Sequence, residues 1–200
     1  MMSVMKTPMN FALNRRRLLC ASLTLPLWTG MEARAADAAL AALRRGGVVV
    51  ALRHALAPGT FDPPEFALGD CRTQRNLNGE GRRQARALGA WFTHQGVTPA
   101  RVRTSPWCRC VDTATAAFGA ADAWAALGSP SGHGEQTNEA HLAQLRAALA
   151  AVAPGRFEVW VTHAFVQQAL AADSTAPAEG LVLRIDSRGT VQKVARLAMA

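Results

Sequence analysis

The most constraining feature of the sequence is a short apolar run, residues 48–52, that ends in the dipeptide Arg53-His54. Three of the five residues in this run are Val and it follows Gly46-Gly47, which favours a strand buried on both faces. Open α/β sheets bind their ligands beyond the carboxyl ends of the strands. The run therefore predicts a central strand with a guanidinium and an imidazole at its tip, although a surface Arg and His that close a strand would give the same pattern.

Strands and helices are predicted to alternate along the rest of the chain. Apolar or β-branched runs predict further strands at residues 101–104, 157–162, 180–185 and 191–197, the last two as a hairpin. Helical spacing, start signals and stop signals predict helices at residues 37–45, 78–96, 106–118, 136–152 and 164–172. Gly and Pro predict loops at residues 55–70 and 119–135. This order favours one α/β domain, a three-layer α/β/α sandwich with a mostly parallel sheet.

Residues 1–35 are predicted to be a signal peptide that precedes this domain. The run Arg15-Arg16-Arg17 comes before an apolar stretch that is too short to span a bilayer. Ala33-Arg34-Ala35 has small residues at the two positions that a signal peptidase recognises. The pattern resembles a twin-arginine signal, and a Sec signal or a retained anchor are the alternatives. Cleavage after Ala35 predicts a periplasmic or secreted domain of residues 36–200.

The basic character of the chain depends partly on that segment. The full chain has a net charge of +8, but five of its 22 basic residues and one of its 14 acidic residues lie in residues 1–35. The remainder carries +4, so the charge gives little support to a nucleic-acid partner. Contact with a membrane is predicted only during export, and no pattern predicts an oligomeric state.

Three cysteines remain after the predicted cleavage: Cys71, Cys108 and Cys110. An oxidising compartment predicts one disulfide and one remaining thiol. Cys108 and Cys110 are too close in sequence to favour a bridge between them, so Cys71 is predicted to pair with one of the two. A zinc site is the alternative use of these cysteines. The sequence has no suitably spaced pair of His residues to complete such a site, so this alternative has little support.

A second predicted strand also ends in a histidine, His163, and the strand at residues 101–104 leads into a helix whose first turn carries Arg109. Since parallel strands end at one edge of a sheet, these residues are predicted to share a pocket with Arg53 and His54. An imidazole is a competent nucleophile toward phosphorus, and guanidiniums bind phosphoryl oxygens bidentately. The pocket therefore predicts phosphoryl transfer through a phosphohistidine, with no metal and no cofactor.

Four motifs in order resemble those of the histidine phosphatase superfamily, branch 1, which has the phosphoglycerate-mutase-like fold. They are Arg53-His54-Ala55, the helix start from Leu77 to Ala85, the segment from Thr104 to Ala114, and Val161-Thr162-His163. Ala55 and Ala164 replace glycines of the family pattern. The Cys-Arg-Cys variant at residues 108–110 resembles an exported subgroup, and the chain is also similar to small phosphohistidine phosphatases.

The resemblance implies a role for each matching residue. His54 would be the phosphorylated nucleophile, and Arg53, Arg109 and His163 would form the phosphate pocket. The loop with Cys71 would cover this pocket, so further substrate-binding side chains are predicted as a set: Gln74, Arg75, Asn76 and Trp107. For Trp107, packing in the core is an equal alternative.

The sequence departs from the family at the proton donor. The family has a Glu in a Leu-x-Glu context, whereas this chain has Leu127-Gly128-Ser129. Three other carboxyl groups are candidate donors, namely Asp70, Glu135 and Glu139. The predicted function is an exported phosphatase that hydrolyses a phosphomonoester or phosphoamidate through His54. The alternatives are a non-catalytic protein that binds phosphate or another phosphoanion, and a Cys/His metal-binding protein.

Overall fold

The computed structural model describes residues 29–132 and 134–198, and of residues 29–35 it describes the backbone only. The five helices are α1 (Thr29–Arg45), α2 (Gly79–His94), α3 (Cys108–Phe118), α4 (Glu139–Ala150) and α5 (Ala164–Ala171). The six strands are β1 (Val48–Arg53), β2 (Arg101–Thr104), β3 (Asp122–Ala123), β4 (Phe157–Thr162), β5 (Gly180–Ile185) and β6 (Val191–Leu197). Two single-turn 3₁₀ helices lie at Cys71–Thr73 and Ala125–Leu127.

The six strands form one sheet in the order β3-β2-β4-β1-β5-β6. The pairs β3–β2, β2–β4 and β4–β1 are parallel, whereas β5 and β6 add an antiparallel hairpin next to β1. Strand β1 therefore lies inside the sheet, with β4 on one side and β5 on the other. The predicted α/β class with a mostly parallel sheet is confirmed.

Both faces of β1 are buried, as its continuous apolar run predicts. Val48, Val50 and Leu52 pack in a core with residues of α1, α2 and α3, whereas Val49 and Ala51 pack in a second core with residues of α4 and α5. This alternation follows from the period of two in a strand. Full burial of one such aliphatic side chain stabilises the fold by roughly 1.5–3 kcal/mol, so the two cores fix the strand in place.

Several elements differ from the predicted ones, and three of these differences are the most informative. Helix α1 begins at Thr29 rather than at residue 37, because the residues before 37 are rich in the strong helix former Ala. Helix α3 begins at Cys108, since Trp107 has extended backbone, and Pro106 suits an extended segment as well as a first helical turn. The predicted loop at residues 119–135 contains the short edge strand β3 and a 3₁₀ turn.

The predicted signal peptide falls mostly on residues 1–28, which lie outside the described residues, and the predicted cleavage point after Ala35 falls within α1. In the part of the chain that the structure describes, no helix has the length and apolar character needed to cross a membrane.

Helices α2 and α3 position the chain immediately after β1. Gln84 on α2 accepts a hydrogen bond from the backbone N–H of Leu56 through Oε1 at 3.0 Å, and Thr113 on α3 accepts one from Ala55 through Oγ1, also at 3.0 Å. A Cβ at Gly81 would lie 2.1 Å from the carbonyl oxygen of Leu56, so only glycine allows α2 this approach. These residues of the family motifs therefore hold the backbone that follows His54.

Candidate active site

The predicted pair of histidines lies at the carboxyl edge of the sheet. His54 follows β1 and His163 follows β4, and their ring centroids are 5.4 Å apart with an interplanar angle of 69°. Both residues are at least 95% buried. The parallel register of β1 and β4 causes this proximity, because Arg53 pairs with Thr162 at the last position of the two strands.

The hydrogen bonds of His54 leave one ring nitrogen for chemistry. Its Nδ1 lies 2.8 Å from the carbonyl oxygen of Ala55. A carbonyl oxygen only accepts, so Nδ1 carries the proton and donates, and Nε2 keeps its lone pair. Burial lowers the pKa of His54 to about 3, and the charges of Arg109, Arg53 and Arg75 act in the same direction. The imidazole is therefore neutral and nucleophilic at physiological pH.

His163 is fixed from behind by its neighbours. Its Nε2 lies 2.9 Å from Oγ of Ser105 and 3.5 Å from the sulfur of Cys110, and its ring stacks on Phe165 with centroids 4.9 Å apart. Burial lowers the pKa of His163 well below its usual value, and electrostatic repulsion from His54 and Arg109 lowers it further. The buried thiol of Cys110 has a pKa raised to about 12 by desolvation, so it stays protonated.

A cavity of about 270 Å³ opens above these rings. Its lining includes His54, His163, Phe165, Glu135 and two of the predicted cations, Arg53 and Arg75. Arg53 donates to the carbonyl oxygen of Thr175 at 2.8 Å, and Arg75 donates to the carbonyl oxygens of Ala57 and Gly59 at 3.1 and 2.6 Å. These backbone contacts orient two guanidiniums over the histidines.

The third predicted cation, Arg109, is covered by a carboxylate. It is only 1% exposed, and its Nη1 donates to Oδ1 and Oδ2 of Asp62 at 2.9 and 3.1 Å. Asp62 Oδ1 also accepts the backbone N–H of Arg75 at 2.9 Å. The loop after β1 thus supplies an anion to the guanidinium that was predicted to hold phosphate.

The buried Nε donors of Arg53, Arg75 and Arg109 have no hydrogen-bond partner among the described residues. An unsatisfied buried donor of this kind destabilises a fold by about 1–3 kcal/mol unless a ligand or water satisfies it. The three cations and the neutral His54 therefore form a site suited to a multivalent oxyanion.

Three of the predicted substrate-binding residues do not line the cavity that contains His54. Gln74 accepts from the backbone N–H of Cys108, the first residue of α3, and donates to the carbonyl oxygen of Ala67 in the loop. Asn76 donates to the carbonyl oxygens of Cys71 and Gln74. These contacts have a simple cause, since a loop without regular structure needs side chains to satisfy its own backbone.

Trp107 is the third of the predicted residues that lie outside the cavity lining. It is buried, stacks on Phe66 with ring centroids 5.5 Å apart, and meets the ring of His163 edge to face. It contacts His163 from the core side and is not among the residues that line the cavity.

The three candidate proton donors lie in different parts of the structure, and one of them lines the cavity. Asp70 is paired with Arg72 and caps the 3₁₀ helix at Cys71–Thr73, and Glu139 is exposed at the start of α4, where it pairs with Arg146. Neither lines the cavity. Glu135 does, and its Oε1 lies 3.4 Å from Nη2 of Arg75.

The cysteine pairing left open by the sequence is Cys71–Cys108 in the structure, and Cys110 is a buried free thiol. The bridge attaches the loop after β1 to the residue next to Arg109. Within the described ranges, no group of three or more His, Cys, Asp or Glu side chains is arranged to hold a metal ion.

Sequence reasoning missed Asp62, Gly59, Thr60 and Phe165, which lie at or beside the cavity. The only available signal for the first three was their place in a long loop directly after the strand that carries His54.

The chain is similar to known proteins both in part of its sequence and in its fold. Residues 67–127 match the family model of the histidine phosphatase superfamily (branch 1). This segment contains Arg109 and both bridged cysteines, whereas His54 and His163 lie outside it. No curated protein sequence matches the chain.

Several solved structures share the fold at low sequence identity. The protein histidine phosphatase SixA complexed with tungstate has a TM-score of 0.53 and 20% identity, with 76% of this chain and 96% of that chain covered. The putative phosphohistidine phosphatase SixA from Agrobacterium tumefaciens has a TM-score of 0.50 and 20% identity, with coverages of 76% and 97%. The phosphoglycerate mutase from Thermus thermophilus has a TM-score of 0.50 and 16% identity, with coverages of 76% and 99%.

The fold of the chain is therefore phosphoglycerate-mutase-like, and residues 67–127, which contain the second and third of the four motifs, match the histidine phosphatase superfamily (branch 1).

Proposed function

We propose that the protein is a phosphatase that transfers a phosphoryl group first to Nε2 of His54 and then to water. The observation that carries this proposal is the buried, neutral His54, whose Nδ1 is committed to Ala55 while three guanidiniums and His163 surround it. A tetrahedral oxyanion, tungstate, is bound in the structure of a protein with the same fold, which supports an anion site in this chain.

In the proposed first step, the phosphoryl oxygens bind Arg53, Arg75, Arg109 and His163. The lone pair of His54 Nε2 forms a bond to phosphorus as the bond from phosphorus to the leaving oxygen breaks. The cations offset the charge on the transferring group, which is the principal contribution of an enzyme to such a transfer. Arg109 takes part after the anion displaces the carboxylate of Asp62.

Glu135 is the proposed proton donor to the leaving oxygen. The carboxyl group of Glu135 lines the cavity that contains His54, and its Oε1 lies 3.4 Å from Nη2 of Arg75. A proton held by Glu135 is transferred to the leaving oxygen. The resulting carboxylate then takes a proton from the water that attacks phospho-His54, which releases phosphate and restores both groups.

The experiment is a search for the covalent intermediate. The protein is incubated with acetyl phosphate and with p-nitrophenyl phosphate, quenched in alkali, and examined by intact mass for one added phosphoryl group that is lost in acid. His54→Ala should lose both this adduct and turnover. His94→Ala, which changes an exposed histidine on α2, is the matched control and should keep both. Turnover that persists in His54→Ala would exclude the mechanism.

A second candidate function is supported by the contact between Asp62 and Arg109 and by Ser129 in the place of the family's Glu. A protein that binds phosphate or a phosphoanion without catalysis would show thermal stabilisation by phosphate and no turnover of any phosphomonoester or phosphoamidate.

We further propose that the protein is exported, acts in the periplasm or outside the cell, and needs no metal. The bridge between Cys71 and Cys108 supports an oxidising compartment. Cell fractionation of the full chain, with Arg15-Arg16 changed to Lys-Lys as the export-deficient variant, tests the location. Turnover that is unchanged by a chelator is expected, and metal-dependent turnover would contradict this part of the proposal.

A further inference from the structure

A second cavity, of about 320 Å³, lies beside the one that contains the histidines. Most of its wall is apolar and comes from one loop, through Phe61, Pro63, Pro64 and Phe66. Asp62 and Glu135 contribute the charged part of the lining. A cavity of about 150 Å³ lined by apolar side chains accommodates benzene, so this one has room for a two-ring hydrocarbon.

The two cavities meet at Glu135, which lines both. The loop after β1 passes from one to the other, because Gly59 and Thr60 line the histidine cavity and Phe61 lines the second one. A phosphomonoester with its phosphorus over His54 would thus have its leaving oxygen near Glu135 and its organic group in the apolar cavity.

Phe61 is the clearest sign that this wall contacts a ligand. Its side chain is 77% exposed, more than that of any other large hydrophobic residue in the described part of the chain. Exposed apolar surface next to a polar site is typical of ligand contact.

The wall is also held in place. Before Phe61, the carbonyl oxygen of Gly59 accepts a hydrogen bond from the side chain of Arg75. After Phe61, Asp62 accepts the backbone N–H of Arg75, and Phe66 stacks on Trp107. Further along, Gln74 donates to the carbonyl oxygen of Ala67. A wall fixed on both sides of Phe61 loses little conformational freedom when a ligand binds, which favours affinity.

We propose that this cavity binds the leaving group of the substrate and that the leaving group is an uncharged aryl or similarly bulky hydrocarbon. The proposal rests on the phosphatase function proposed above and names its substrate class. The carboxylates of Asp62 and Glu135 on the cavity lining disfavour leaving groups that carry a carboxylate, because like charges repel at this distance.

Binding of two phosphonates by calorimetry tests the cavity without any need for turnover. Methylphosphonate fills only the anion site, and 1-naphthylphosphonate adds a two-ring group. The wild-type protein should bind 1-naphthylphosphonate at least about ten-fold more tightly than methylphosphonate, since one well-placed hydrophobic group is typically worth 10–200-fold. A ratio near one would overturn the proposal.

Variants of Phe61 test whether this side chain contacts the bound hydrocarbon group. Phe61→Ala should reduce the preference for 1-naphthylphosphonate by about three-fold or more and leave the affinity for methylphosphonate unchanged, and Phe61→Leu should restore part of the preference. Leu68→Ala is the matched control, because Leu68 is also exposed, at 47%, and does not line this cavity. Equal effects of Phe61→Ala and Leu68→Ala would overturn the assignment.

Turnover separates this inference from the function on which it rests. A ten-fold preference among phosphonates without hydrolysis of acetyl phosphate or 1-naphthyl phosphate would refute the phosphatase and keep the apolar subsite. Hydrolysis of both substrates without a preference in binding would refute the subsite and keep the phosphatase. Absence of binding by either phosphonate would refute the subsite whatever the turnover.

Discussion

Replacing Asp62 by Asn should make the protein less stable and, at the same time, make it bind phosphate more tightly. Asn has the shape of Asp without the charge, so the change removes the counter-ion of Arg109 and leaves the loop geometry in place. Removing one partner of a buried ion pair typically costs about 3–5 kcal/mol. The remaining amide oxygen of Asn still accepts a hydrogen bond, so we expect a loss of about 2–4 kcal/mol in the free energy of unfolding without phosphate.

The gain in affinity follows from the same contacts. In the wild-type protein, phosphate has to displace two charged hydrogen bonds between Asp62 and Arg109, at 2.9 and 3.1 Å. Hydrogen bonds to charged groups contribute about 1.5–3 kcal/mol. Since about 1.4 kcal/mol equals a factor of ten, the variant should bind phosphate roughly 10- to 100-fold more tightly.

Thermal unfolding over a series of phosphate concentrations measures both effects. Without phosphate, the variant should unfold at a lower temperature than the wild-type protein. Each addition of phosphate should raise its unfolding temperature by more than that of the wild type, because stabilisation grows as RT ln(1 + [L]/Kd). Asp70→Asn is the matched control, since Asp70 lies in the same loop, pairs with exposed Arg72 and does not line the cavity that contains His54. Phosphate affinity that is unchanged or weaker in Asp62→Asn would refute the idea that this carboxylate competes with phosphate.

Three further predictions concern the bridge, the histidines and the proton donor. Changing both Cys71 and Cys108 to Ser opens a loop with a sequence separation of 37, which should lower the free energy of unfolding in urea by about 4 kcal/mol; a loss below about 1 kcal/mol would contradict this. The pKa of His54 and that of His163 are lowered by burial, so the unfolded chain binds protons that the folded chain excludes. Stability should therefore fall as the pH falls below about 6.5, by at most about 2.7 kcal/mol per pH unit for the two histidines, and His54→Gln should roughly halve this slope. Glu135→Gln should lower kcat by about 10²–10⁴-fold for an alkyl phosphate and far less for p-nitrophenyl phosphate, whose leaving group needs no proton, and equal losses on both substrates would argue against Glu135 as the donor.

The core of the fold and the centre of the site were predictable because they depend on short, regular patterns. The run at residues 48–52 is apolar on both faces, which identifies an interior strand. The ends of β1 and β4 identify His54 and His163, since parallel strands bring successive carboxyl ends to one edge. Hydrophobic periodicity is enough to locate both strands and therefore the residues at their ends.

The loop after β1 was not predictable to the same degree. Asp62, Gly59 and Thr60 have no periodic neighbours, so their positions depend on contacts with distant residues. Gln74 and Asn76 have the polarity of ligand-binding residues, yet the same polarity serves to satisfy the backbone of an irregular loop. Sequence alone does not distinguish these two uses.

Strand β3 was missed for a related reason. Its two residues, Asp122 and Ala123, are exposed and have low intrinsic preference for strands. Their pairing with β2 depends on contacts between distant parts of the chain, such as the ion pair of Asp122 with Arg101.

Gln84 and Thr113 accept hydrogen bonds from the backbone of Leu56 and Ala55. These bonds fix the position of His54 independently of the conformation of the loop that follows. Since the backbone is anchored within two residues of His54, we expect an exchange of residues 58–70 to leave His54 in position. The contacts of Gly59 and Asp62 with Arg75 and Arg109 then have to be supplied by the new loop. Loop closure free energy rises only by about 0.6 kcal/mol for each doubling of length. A library of grafted loops of different lengths is therefore a direct way to give this scaffold new substrate preferences.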